Sequence, residues 1–227
     1  MSDCSKYLSA GLIGIAALVG AVPTVFAAPP ALGTLSRYAA LSATPRLRGA
    51  VTCTDASVNG NVGNSGYRSA VTWTRCHTSG TITAPVGPQV LRDFNRVYVG
   101  LAAAPCQRIL TGTLSGVKLA PGTYCFNQAA ALTGTLTLAG TSTGVWTFLV
   151  DGDLTGKNFS VVMASGARAC NVYWAPTGAT TMTTSNLKGN VVAGKAITLT
   201  GGSFGGRALA LSAVTLTGVA VTGCSMI

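Results

Sequence analysis

A mostly β chain is predicted here: a right-handed, three-sided β-solenoid with one long α-helix packed alongside. Three observations lead to it. The last third of the chain carries a gapless internal repeat, the rest reads as short Gly-bounded β segments, and a single stretch has helical periodicity. The chain has 227 residues, room for one sizeable core.

The repeat has a period of 17 residues, laying Val172–Lys188, Gly189–Gly205 and Gly206–Thr222 over one another. Ala179, Ala196 and Ala213 coincide, as do Met182, Leu199 and Leu216. Leu187, Phe204 and Val221 form another apolar column, and Gly189, Gly206 and Gly223 stand at the repeat boundary. A unit of that length makes three short strands, one per side of a coil, and stacked coils bury like columns on like.

Upstream the repeat loosens but persists. TLTLAG, VWTFLVDGDLTG and FSVVMASG keep the alternating, Gly-bounded character, and Trp146 and Phe148 answer Val172 and Trp174. The stretch from Leu32 to Ala84 also reads as short strands. Between Gly87 and Ala104, apolar residues fall at Val90, Leu91, Phe94, Val97, Tyr98 and Leu101, with Arg92 and Arg96 on the opposite face. Those steps are helical; Pro88 suits the first turn and Pro105 stops the helix. No linker interrupts the chain, so residues 29–227 are expected to form one domain.

At the N-terminus Lys6 precedes an apolar run from Tyr7 to about Val22, followed by Val25-Phe26-Ala27. This pattern reads as a secretory signal over residues 1–28, which places the mature chain outside the cell, in the periplasm or at the cell surface. No later segment is apolar for long enough to span a bilayer. Six cysteines then remain: Cys53, Cys76, Cys106, Cys125, Cys170 and Cys224. An even number in an exported chain suggests disulfides; fifteen connectivities are open, and pairing in sequence order is the simplest.

The chain has no Glu, one His and five Asp, which argues against hydrolytic machinery. Asp151 and Asp153 are the only close acidic pair, without a third acid nearby, and His77 has no second ligand pair at zinc spacing. No metal, cofactor or catalytic residue is therefore expected. The net charge of +10 leaves open an anionic polymer as partner, with Arg37, Arg46, Arg48, Arg68, Arg75, Arg92, Arg96, Arg108 and Arg168 all preceding the repeat. No nucleic-acid module is present.

The residues flanking Met182, Leu199 and Leu216 are Thr181 and Thr183, Thr198 and Thr200, Thr215 and Thr217. With the apolar residue turned inward, period-two alternation turns all six threonines outward in two files. Each node offers a methyl and a hydroxyl on a β-branched, stiff side chain. A rigid grid of this kind can hold water in an ice-like arrangement, although threonine is also an ordinary residue of solvent-facing strands. Thr180 falls in the inward column with Ile197 and Val214.

The motifs SVNGNVG (57–63), LAPGTYCF (119–126), GVWTFLVDGDL (144–154), NVYW (171–174) and GGRALALSAVTLTG (205–218) resemble the secreted ice-binding protein family of bacteria, fungi and diatoms. The resemblance runs from about Leu32 to Thr222. It implies a discontinuous β-solenoid flanked by a helix, with the first strands beside the C-terminal coils. It also implies a non-catalytic, monomeric protein whose partner is the ice crystal surface, met through a flat sheet face. The segment between the N-terminal strands and the helix, roughly Tyr67 to Val86, is shorter than is common in that family and carries Cys76. The alternative expectation is an envelope or matrix adhesion module that binds anionic polymers or cell surfaces.

Overall fold

The computed structural model describes residues 28–45 and 48–224; the expected signal up to Ala27, and Arg46, lie outside the described residues. Two parallel sheets build a solenoid, and their strand order departs from chain order. The nine-stranded sheet runs Ile82–Thr83, Asn61–Asn64, Tyr38–Ser42, Ala208–Ala210, Asn190–Ala193, Val172–Pro176, Trp146–Val150, Gly122–Phe126 and Arg108–Ile109. The N-terminal strands thus stack on the C-terminal coil, as the resemblance implied.

The second sheet has eleven strands and bends around a corner, so that it supplies two sides of each coil. Its long strands, Leu154–Ala164, Thr180–Lys188 and Ile197–Gly205, pass through left-handed backbone at Asn158 (φ 51°), Thr184 (φ 49°) and Gly201 (φ 64°). The same corner is made by Gly218, Asp55 and Arg75 in the following coils. Glycine or a short polar residue tolerates this conformation; Thr184, being β-branched, does so with strain.

The predicted columns stack in register. Met182, Leu199 and Leu216 are partners across neighbouring strands, and Trp146 and Phe148 oppose Val172 and Trp174. The inward file of the nine-stranded sheet runs Tyr124, Phe148, Trp174, Val191, Ala208, Ala40, Val62. Phe148 and Trp174 stack with ring centroids 4.0 Å apart. Large rings fill the upstream coils, where the repeat is loose, and Val or Ala fills the 17-residue ones. The Gly206 column is a close approach: a Cβ there would stand 1.8 Å from the Gly189 carbonyl oxygen.

The helix spans Pro88–Ala102, with Gly87 and Ala103 as its caps, slightly inside the expected limits. Val90, Phe94, Val97 and Leu101 pack on Leu41, Tyr173, Ala175, Val192 and Leu209 of the nine-stranded sheet. One buried helix residue escaped the periodicity. Asp93 is only 2% exposed, and its carboxylate accepts hydrogen bonds from the Thr34 hydroxyl and amide, Gln89 and Arg96. Those bonds, from Thr34 first, hold its pKa below the usual carboxylate range, against the opposing effect of burial. The cover over it is a single turn, Gly33–Arg37, so hydrogen bonding outweighs desolvation.

Three disulfides follow sequence order: Cys53–Cys76, Cys106–Cys125 and Cys170–Cys224. Near the last of them Arg207 is buried, and its guanidinium donates to the Ser36 carbonyl, the Asn190 side chain and the Cys224 carbonyl. Desolvation lowers its pKa. The first and last described segments are thereby clasped together in mid-solenoid.

Candidate functional site

The site is built from strands that alternate because only one of their faces meets the core. In Thr180–Thr183, Ile197–Thr200 and Val214–Thr217 the inward residues are buried: Thr180, Ile197 and Val214 at one position, Met182, Leu199 and Leu216 at the next. The six expected threonines all turn away from the core. Thr181, Thr198 and Thr215 are direct partners across the strands, as are Thr183, Thr200 and Thr217.

Register carries both files well beyond the repeat. Thr215 and Thr217 pair with Thr52 and Thr54, which pair in turn with Thr72 and Thr74. On the other side Thr181 pairs with Thr155. The first file therefore runs Thr155, Thr181, Thr198, Thr215, Thr52, Thr72, and the second Thr183, Thr200, Thr217, Thr54, Thr74. All eleven are exposed or half-buried. Neighbouring coils lie about 4.8 Å apart, and the two files are separated by roughly 6.8 Å, two residues of strand rise.

Five of these threonines were missed by the sequence reading. The signal was present: Val51-Thr52-Cys53-Thr54 and Val71-Thr72-Trp73-Thr74 repeat the pattern of Val214-Thr215-Leu216-Thr217. Cys53 is fully buried beneath the surface, and Trp73 closes that end, its indole N–H donating to the Cys76 carbonyl at 3.0 Å. The stretch expected to be a short capping segment instead supplies strands Val71–Thr74, His77–Thr78 and Ile82–Thr83 to the solenoid itself.

The grid is uncharged through its interior. Beyond Thr74 the corner is marked by an ion pair between Arg75 and Asp55, whose bond from Arg75 lowers the Asp55 pKa. At the opposite end, Lys157 occupies the second file beside Thr183. The other candidate chemistry has structural employment. Asp153 accepts the Ala179 amide at 2.7 Å, bridging two coils, and Cys76, next to His77, is bound to Cys53. Among the described residues no group of three His, Cys, Asp or Glu converges as a metal site, and no helix is long and apolar enough to cross a membrane.

A flat Thr grid on a discontinuous solenoid narrows the choice of relatives, and the comparisons agree. An ice-binding protein of Typhula ishikariensis is 30% identical over 223 residues, covering 85% of this chain and 88% of its own. The solved ice-binding protein of Antarctomyces psychrotrophicus superposes with a TM-score of 0.75 at 29% identity, over 86% of this chain and 98% of that one. One from an Antarctic biological consortium gives 0.78 at 26% identity, over 88% and 93%. The family model described as ice-binding-like matches residues 13–222. The chain belongs to that ice-binding-like family.

Proposed function

We propose that this protein binds ice, without catalysis, through the bare face made by Thr155, Thr181, Thr198, Thr215, Thr52 and Thr72 in one file and Thr183, Thr200, Thr217, Thr54 and Thr74 in the other. The observation that carries the reading is the register: eleven threonines on consecutive parallel strands with no charge among them. Backbone hydrogen bonding fixes one repeat of the grid and the strand rise fixes the other, so the hydroxyls cannot drift relative to one another. Each methyl gains by leaving bulk water, while each hydroxyl keeps a hydrogen-bonded water in place. A two-dimensional water layer ordered in this way merges with a crystal face. Adsorbed molecules then pin the ice front, which is the physical basis of antifreeze and recrystallisation-inhibiting activity.

The anionic-polymer reading has no support from the relatives, all of which are named for ice binding. The same reading takes the protein as a secreted monomer that loses its first 28 residues; three disulfides accord with an oxidising compartment. The test is direct: grow a single ice crystal in a solution of fluorescently labelled mature protein. Fluorescence on defined crystal planes, retained at high salt, is the expected result. A dark crystal, with protein held instead on an anionic resin and released by salt, would overturn it.

A further inference from the structure

The second threonine file is interrupted, and the interruption has a charge. Lys157 is the direct partner of Thr183, while two residues earlier Thr155 partners Thr181 and continues the first file. In the next coil the strand Ala130–Ala139 breaks register between Leu132 and Gly134, just where the second file would go on to exposed Thr133. Charge and bulge thus fall at one edge of an otherwise uncharged surface.

We infer that Lys157 sets the boundary of the ice-contacting surface, ending the second file at Thr183 and so fixing how many coils face the crystal. The inference rests on the ice-binding reading and deepens it. The physical reason lies in hydration. A lysine ammonium is a compact, strongly hydrated charge on a flexible stem, and it holds waters around itself in an arrangement no ice lattice accepts. The stem is longer than a threonine side chain, so the charged tip stands above the plane of the grid. Ice docked on Thr183, Thr200 and Thr217 therefore cannot extend over Thr155 without stripping that charge of water. Thr155 becomes an unused member of its file.

Lys157 is exposed on a strand, where threonine fits at least as well, so Lys157→Thr should leave the fold intact. It completes one further row, Thr155 with its new neighbour, and no more, because the bulge lifts Thr133 out of register. The experiment is ice-recrystallisation inhibition titrated to its end-point concentration for the parent, Lys157→Thr and Lys157→Arg, each beside a melting curve. One extra methyl-sized contact corresponds to about a threefold lower end point for Lys157→Thr; Lys157→Arg should match the parent. An end point for folded Lys157→Thr equal to or above that of an active parent would overturn the inference while leaving the ice-binding reading untouched. A parent without inhibition removes both. If Lys157→Thr does not fold, Lys157→Ala replaces it, and a weaker inhibition than the parent's would be equally damaging.

Discussion

The two sheets share a parallel architecture but treat their outer faces differently. In the nine-stranded sheet, Val172–Pro176, Asn190–Ala193 and Ala208–Ala210 are buried at every position, because the core covers one side and the helix or the chain ends cover the other. Their sequences are correspondingly apolar without alternation. The Thr-bearing strands alternate strictly, with Val214–Thr217 buried and half-buried by turns. A solenoid needs only its interior to stand. The helix is spent on one side, and the other is left open, flat and uncharged over five consecutive coils. Loss of cover on one sheet should therefore cost stability, whereas change on the open one should cost adsorption.

Phe94 tests the covered side most severely. It is 1% exposed at the centre of the helix–sheet contact. Phe94→Ala is expected to destabilise the protein by about 3–5 kcal/mol, read as a drop in denaturation midpoint, while the folded fraction still adsorbs to ice at the parent's level. Unchanged stability would mean that the helix is not needed to cover the sheet.

Disulfide loss should be next in size, and it touches the open side. Cys53 lies under the grid between the rows of Thr52 and Thr54, bound to Cys76. Removing the bond with Cys53→Ala and Cys76→Ala together should cost roughly 2–5 kcal/mol, and thiol titration of the denatured, unreduced parent should find no free group among the six described cysteines.

Acid separates the two sides more gently. Asp93 joins the helix to the Gly33–Arg37 turn, and its folded pKa is depressed. Its contribution is therefore fully present above the unfolded value near 3.9 and is lost as pH falls through the lower folded one. Asp93→Asn should cost about 1 kcal/mol at neutral pH, at the low end for charge-assisted bonds because the cover is thin. The variant's acid unfolding should also begin less steeply below about pH 4. The smallest expected effect concerns the corner of the open sheet. Thr184→Gly relieves left-handed strain at φ 49° and should raise stability by about 1 kcal/mol.

How much was readable depended on whether neighbours in space were neighbours in sequence. The Met182, Leu199 and Leu216 column was legible because its three coils follow one another along the chain. Thr52 and Thr72 were not, because Val51–Thr54 joins the stack against Val214–Thr217 from the far end of the chain. No fixed period links those segments; only a shared Val-Thr-x-Thr pattern does. Asp93 was hidden for a different reason. Its burial depends on a turn sixty residues away in sequence, and helical periodicity assigns a carboxylate to solvent. The upstream coils blurred the repeat because aromatic core residues such as Phe148 and Trp174 occupy wider turns of the solenoid.

The central claim is that the open Thr face, and not the basic surface, meets the ice. Thr198 lies inside the first file, between Thr181 and Thr215, and points outward. The measurement is ice-recrystallisation inhibition of Thr198→Tyr, with Arg92→Ala on the exposed helix face as control, each beside a melting curve. The protruding ring should keep the flanking threonines off a flat crystal, abolishing inhibition while stability stays within about 0.5 kcal/mol of the parent, and Arg92→Ala should inhibit as the parent does. Full inhibition by folded Thr198→Tyr would contradict the account and place the active face on another side of the solenoid.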